Sequence, residues 1–391
     1  MSEAVIVGAV RTPLGRRNGW LRETHPVRLG SDVLCEALAR ANLDPKYLDH
    51  VIMGCVSQAG EQTFNLARNV VLDAGLPITI PATTVDFQCG SSQQAVHLAA
   101  ALVSSGQMDV VVAGGVESMT RVPMGASMMG QQPFTERMMS AYNLVPQGIA
   151  SDEIAQKWGI SREQVDRIGY ESHMRAAKAH QEGWLAREIL PVAGLEDIRQ
   201  DGSKSHPITV ERDQGVRPNA TLEKMATLGA AFTENGVTTA GNSSQISDGA
   251  AAVVVTTREK AAELGLKVRA RIIASVTVGS DPHLMLTGPI EATRKVLQRA
   301  GLRMEQIDLF EVNEAFASVV AMWQQEIGAD MAKVNVHGGA IAIGHPLGAS
   351  GARLMTTLLH ALETHDKHYG LQTMCCGGGM ATATIIERVS G

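Results

Sequence analysis

Part of this chain is written twice. Residues 38–49 read LARANLDPKYLD and residues 297–308 read LQRAGLRMEQID. At a constant offset of 259 positions, Leu38, Arg40, Ala41, Leu43 and Asp49 meet Leu297, Arg299, Ala300, Leu302 and Asp308 without a gap. A strand-like apolar run follows each copy. A second correspondence comes in the same order. CGSSQQAVHLAAALVSSGQMDVVVAGG (89–115) and GHPLGASGARLMTTLLHALE through LQTMCCGGG (344–379) each give a Gly-rich turn, a helix and an apolar strand ending in glycines. One helix pattern can match by chance, but two in the same order imply two copies of one α/β unit.

Apolar runs rich in β-branched residues occur at 5–9, 51–55, 110–115, 251–255, 307–312 and 382–386, and helix-length segments such as 29–41 and 291–300 lie between several of them. Strands alternating with helices predict a largely parallel sheet covered on both faces. The 391 residues exceed what one core usually supports, in keeping with a duplicated fold. Residues 119–246 break the repeat. Six Met fall between Met119 and Met139, followed by a helical stretch at 161–182 and a polar segment at 201–207. The Met cluster reads either as gap-filling core or as an adaptable apolar surface for an acyl chain or a subunit contact.

With 34 basic and 40 acidic residues and no long like-charge run, the formal charge of −6 leaves no electrostatic footprint for nucleic acid. Five cysteines without metal-ligand spacing fit a reducing compartment. The N-terminus lacks the positive charge of a signal peptide, the C-terminal ERVSG is not a peroxisomal address, and no stretch is long and apolar enough for a membrane helix. A cytoplasmic protein without membrane association is expected.

Chemistry concentrates at four points. Cys89 stands where an extended run meets Cys-Gly-Ser-Ser and then a helix. There, unpaired backbone N–H groups and the helix dipole are expected to lower its pKa and to offer donors for an oxyanion. The alternative is a small buried hydrophobe. His345, between Gly344 and Pro346, occupies the matching turn of the second copy, so a pseudo-twofold would bring the two helix starts together, as Cys–His pairing requires. Its alternative is a hydrogen-bonded structural histidine. Cys375 ends a strand before three glycines and could shuttle a proton, or face the core. Asn313 follows the IDLF strand as a polar orienter or as a helix cap.

Together these segments resemble the thiolase family. VRTPLGRRNG (10–19), CGSSQQA (89–95), GGVESMTRVP (114–123), SREQVD (161–166), TAGNSSQISDGAAA (239–252), GPI (288–290), NEAFA (313–317), GGAIAIGHPLGASGAR (338–353) and CCGGG (375–379) look like thiolase blocks in thiolase order, over nearly the whole chain. Ketoacyl synthases share the duplicated fold but carry a histidine in place of Cys375. The resemblance implies an α/β thiolase fold: two duplicated βαβαβαββ halves in a five-layered αβαβα arrangement, with an inserted loop domain. Its parts would be residues 1–118 with 247–270, the insertion 119–246, and residues 271–391.

The resemblance further implies that Cys89, activated by His345, forms an acyl-enzyme from a 3-oxoacyl-CoA. Cys375 would move the protons, Asn313 with His345 would hold a thioester oxygen through a water, and the N–H groups of Cys89 and Gly377 would hold the other oxyanion. Ser244 matches the contact to the pantetheine of CoA, which acts as co-substrate with no permanently bound cofactor or metal. Homodimers or homotetramers are implied as well.

The sequence departs from the family in places. His337 stands where Asn is usual and is expected to alter hydrogen bonding near His345, and Pro146-Gln147-Gly148 replaces a usual Met-Gly. The His-Met-Gly of many acetoacetyl-CoA-specific members is absent, the 119–150 loop is shorter than in those enzymes, and Ser92 is seen in degradative members. These features favour 3-ketoacyl-CoA thiolysis of a broad or bulky acyl group in β-oxidation or a related route. An acetyl-CoA C-acetyltransferase is the near alternative, and a non-catalytic acyl-CoA or lipid carrier is an alternative of another class. A nicotinamide oxidoreductase or a serine hydrolase is disfavoured, because neither G-x-G-x-x-G nor G-x-S-x-G occurs.

Overall fold

The computed structural model describes residues 2–197 and 205–389, so part of the polar segment at 201–207 lies outside the described residues. The first copy contains β1 (Ala4–Arg11), β2 (Gly15–Arg16), α1 (Pro26–Arg40), β3 (His50–Gly54), α2 (Leu66–Asp73), β4 (Ala82–Val85), α3 (Ser91–Ser104) and β5 (Val110–Ser118). There follow α4 (Glu136–Tyr142), α5 (Gln147–Trp158), α6 (Arg162–Gln181), the hairpin β6 (Val192–Leu195) and β7 (Pro207–Val210), and α7 (Leu222–Ala226). β8 (Ser247–Thr257) returns to the first copy, and α8 (Arg258–Glu263) leads out of it. The second copy is β9 (Ala270–Gly279), α9 (Gly288–Ala300), β10 (Leu309–Val312), α10 (Ala317–Ile327), α11 (Ser350–Thr364), β11 (Tyr369–Cys376) and β12 (Met380–Arg388).

The duplication is visible in the strand order β4-β3-β5-β8-β1-β9-β12-β11-β10. From β3 to β1 the pairings are parallel, antiparallel, antiparallel, and from β10 to β9 they repeat in that order. β1 and β9 join the halves through only two residue pairs, Val5↔Arg271 and Ile6↔Ala270. The sheet is therefore mixed, not largely parallel. The reason lies in the last two strands of each copy. In the second copy β11 turns directly into β12 through Gly377–Gly379, and a hairpin can only be antiparallel. In the first copy the corresponding strands, β5 and β8, pair antiparallel as well, with residues 119–246 between them. Both members are buried on both faces, so their unbroken apolar runs read like parallel strands.

That two-sided burial produces the layers. In β1, Val5, Val7 and Val10 pack with Leu29, Val33 and Leu34 of α1, while Ala4, Ile6 and Ala9 face Val96 and Ala99 of α3 and Leu358 of α11. In β12, Ala381, Ala383 and Ile385 pack with Val296 of α9 and Trp323 of α10. Helices α3 and α11 thus form the central layer of α/β/α/β/α. Every residue of α11 from Ser350 to Leu362 is buried, as expected of a helix enclosed on all sides. Among the described residues no helix is long and apolar enough to cross a membrane.

Candidate active site

The two central helices begin side by side. Ser92 Oγ accepts the Ala352 N–H at 2.9 Å, and Gly351 packs directly on the backbone of Gln93. The expected meeting of the two helix starts is therefore present.

Cys89 precedes α3 by two residues, after a turn in which Gln88 takes a left-handed φ of 49°. That turn is held by the Gln88 N–H donating to Asp86 Oδ1 at 2.7 Å and by Ser91 Oγ, which accepts from the Phe87 N–H at 2.8 Å. The thiol is buried among Leu347, Leu354 and Met374. Burial pushes its pKa up to about 11, while the backbone N–H groups of Gly377 and of Cys89 itself pull down. The expectation of a lowered pKa is corrected. Desolvation outweighs the helix start, whose Gly90 N–H faces the Cys376 sulfur instead. Cys89 therefore rests as a thiol.

A histidine lies across the helix junction. The His345 N–H donates to the Gln245 carbonyl at 3.2 Å and to Ser247 Oγ at 3.2 Å, which fixes the backbone. Ser350 Oγ lies 2.6 Å from His345 Nδ1 and donates its proton to the Pro346 carbonyl at 2.8 Å. A hydroxyl has one proton, so with that proton on the Pro346 carbonyl Nδ1 donates to Ser350 and Nε2 keeps its lone pair. Asn313 Nδ2 approaches that lone pair at 3.3 Å. Burial, with the charge of Arg353, depresses the His345 pKa to about 3, so the ring is neutral at physiological pH. By the repeat offset Cys89 matches Gly348, so His345 sits slightly earlier in the equivalent turn.

Asn313 is not a helix cap. It follows β10 and donates its N–H to the Thr373 carbonyl at 3.1 Å, while α10 starts only at Ala317. Asn335 clamps Val312 through both its N–H and its carbonyl, and Glu314 accepts from Ser172, Asn335 and the Ile341 N–H, tying down the loop that leads to His345. Cys375, the penultimate residue of β11, is buried; burial pushes its thiol up, and a charge on Cys89 would push it further. The following glycines adopt φ of 82° and 78° at Gly378 and Gly379, a conformation that favours glycine, and so the hairpin carries the Gly377 N–H to Cys89. Ser244 is half-buried, its N–H on the Ala315 carbonyl, beside the Asn313 segment.

Cys89, Cys375, Gly377, His345 and Asn313 thus share one neighbourhood, with Ser244 at its edge. His337 does not join them. Its Nε2 lies 3.0 Å from His365 Nε2 and its ring packs on Trp184, so among the described residues the expected effect near His345 has no hydrogen bond to act through. Five of the six Met in the cluster are exposed, which removes the core reading: Met124, Met128, Met129, Met138 and Met139 against the buried Met119. Sequence reading missed Ser350 and Glu314, although Ser350 is one helical turn past Pro346 and Glu314 adjoins Asn313.

The N-terminal thiolase domain model matches residues 4–259 and the C-terminal thiolase domain model matches residues 266–388. A steroid 3-ketoacyl-CoA thiolase of Mycobacterium tuberculosis is 46% identical, covering 100% of this chain and 95% of that protein. A 3-ketoacyl-CoA thiolase of Pectobacterium carotovorum is 43% identical over 100% of both. The crystal structure of the Bacillus anthracis acetyl-CoA acetyltransferase superposes with a TM-score of 0.90 at 34% identity, covering 100% of this chain and 99% of that one.

Proposed function

This chain belongs to the thiolase family, and from that premise we propose that it is a 3-ketoacyl-CoA thiolase, an acyltransferase of lipid degradation that uses CoA to cleave a 3-oxoacyl-CoA into acetyl-CoA and a shortened acyl-CoA. The observation that carries this reading is one neighbourhood holding a thiol under two backbone N–H groups, a histidine kept in its base form, and a second buried thiol.

In the proposed reaction Cys89 gives its proton to His345 Nε2 as its sulfur attacks the 3-keto carbon. With a thiol near 11 and an imidazole near 3, that proton moves in concert with attack rather than beforehand. The oxyanion that forms is held by the N–H groups of Cys89 and Gly377. The bond between C2 and C3 breaks, and its electron pair passes to acetyl-CoA as an enolate whose thioester oxygen is held by His345 and Asn313. Cys375 protonates that carbon. Its thiolate then takes the proton of an incoming CoA thiol, which attacks the acyl-Cys89 thioester. Cys89 leaves as a thiolate and recovers its proton from His345.

Residues 119–246 are proposed as the unit that receives the CoA and acyl portions, with Ser244 against the pantetheine. Five free cysteines suit a cytoplasmic setting. Exposed Phe64, Ile78 and Met129, the first two near the edge strand β4, support a homo-oligomer, which sedimentation velocity tests.

The activity test is CoA-dependent loss of 3-oxoacyl-CoA with matching release of acetyl-CoA. Turnover should vanish in Cys89→Ala and fall by orders of magnitude in Cys375→Ser; undiminished turnover in Cys89→Ala would sink the mechanism. The likeness to an acetyl-CoA acetyltransferase keeps acetoacetyl-CoA chemistry as a second reading. Rates on four-carbon against longer substrates separate the two.

A further inference from the structure

Gln147, the first residue of α5, has its side chain at the reaction centre. A Cβ built on Gly377 would lie 2.9 Å from Gln147 Nε2 and 3.4 Å from Gln88 Oε1. The two amides therefore flank the glycine whose N–H faces the Cys89 sulfur. Their circumstances differ. Gln88 Nε2 is held by both Asp86 oxygens at 3.3 Å, so that side chain is anchored. Gln147 is half-buried, and its amide has no hydrogen-bond partner among the described residues. Next to it the wall turns apolar. The Phe232 ring lies against Gly148 and stacks edge-on with Phe316 at 6.0 Å.

Water can serve the Gln147 N–H groups while the slot is open. An acyl group on Cys89 would displace that water. A purely aliphatic chain would then leave the amide unpaired, whereas a chain bearing a nearby acceptor oxygen would satisfy it. Sites that present a desolvated hydrogen-bonding group discriminate strongly against analogues that lack the partner.

We propose that Gln147 is a specificity-determining residue that selects 3-oxoacyl-CoA substrates carrying a hydrogen-bond-accepting oxygen on the acyl chain, close to the reacting keto carbon. This rests on the thiolase reading of the same site.

The test uses matched six-atom acyl chains: 3-oxohexanoyl-CoA, its analogue with an ether oxygen in place of the C5 methylene, its analogue with a second ketone at C5, and 3-oxoadipyl-CoA. The purified full-length protein should prefer at least one oxygen-bearing chain to 3-oxohexanoyl-CoA by about 10-fold or more in kcat/KM. In Gln147→Met, which keeps the length and removes the donor, that preference ratio should collapse toward one. Gln147→Glu should collapse it as well, and should penalise 3-oxoadipyl-CoA most through like charge. Absence of any oxygen preference in the wild type overturns the proposal. So does a ratio unmoved in Gln147→Met, which would mark Gln147 as structural or as an oxyanion donor for all substrates alike. Failure of the wild type to cleave these four or any longer 3-oxoacyl-CoA would instead remove the 3-ketoacyl-CoA thiolase reading, and the proposal with it.

Discussion

Ser350 sets the chemistry of His345 without touching the reacting atoms. Its hydroxyl proton is committed to the Pro346 carbonyl, so its lone pair receives Nδ1–H and leaves Nε2 unprotonated, facing Asn313 Nδ2. Ser350→Ala removes the acceptor that fixes this tautomer. General-base catalysis contributes on the order of 10²–10⁴ in rate, and losing its alignment should cost about 10- to 100-fold in kcat with little change in KM. Ser350→Thr, which keeps the hydroxyl, should recover most of that loss. Steady-state kinetics on the two variants decide it: an unchanged kcat in Ser350→Ala would mean that the tautomer is held elsewhere. The residue scale is also where the sequence was least informative. Cys89, His345, Cys375 and Asn313 stand out as residue types in particular turns. Ser350 is an ordinary helix serine until the fold places it 2.6 Å from an imidazole. The rise of the Cys89 pKa was hidden for a similar reason, since a helix start is local and visible whereas desolvation by Leu347, Leu354 and Met374 is not.

At the scale of elements, the two copies meet through glycine. A Cβ on Gly115, in β5, would lie 2.0 Å from the Gly348 carbonyl oxygen, and one on Gly54, at the end of β3, would lie 2.6 Å from the same atom. Backbone thus packs on backbone where the strand ends of the first copy receive the turn between His345 and α11. Glu117 seals the junction by accepting the Gly348 N–H at 2.9 Å along with the N–H groups of Val56 and Ser57. Gly115→Ala should therefore destabilise by about 1–3 kcal/mol through overpacking and should lower activity, because the least constrained response is to push the His345 turn away from Cys89. Denaturant midpoints and kcat on the same preparation test both halves; full stability and full activity together would contradict so close a contact. Much at this scale was legible. The offset of 259 that aligns Leu38 with Leu297 also relates Ser91 to Ser350 and Val110 to Tyr369, which open α3 and α11 and then β5 and β11. The antiparallel return of β8 and β12 was not legible, because two-sided burial erases the alternation that marks such strands. Nor was the exposure of the Met cluster, since Met suits a core and a contact surface equally.

For the molecule as a whole, buried histidines tie stability to pH. Burial holds His97, His337 and His345 down to about 3, and His173 and His360 down to about 4, against 6.5 when exposed. Between those limits the unfolded chain binds protons that the folded one refuses. Their stabilisation is complete above pH 6.5 and is lost as pH falls toward 4 for His173 and His360 and toward 3 for the other three. Glu311 works the other way. Its carboxyl, raised by burial to about 8, favours the fold below pH 4.5 and loses that contribution as pH rises toward 8. Unfolding free energies from urea titrations should fall from pH 6.5 to pH 5, and His97→Gln should lessen that slope by roughly 1 kcal/mol per pH unit. A slope identical to that of the parent would contradict a neutral buried His97. The same whole-molecule view bears on function, because the proposed site draws Cys89 from the first copy and His345, Asn313, Cys375 and Gly377 from the second. The most direct measurement is rapid acid quench of the enzyme with a 3-oxoacyl-CoA and no free CoA, followed by peptide mass analysis. An acyl group of the shortened chain on Cys89, discharged when CoA is added before the quench, is the expected result. An adduct on Cys375 or Cys376 instead, or turnover with no adduct at all, would contradict it.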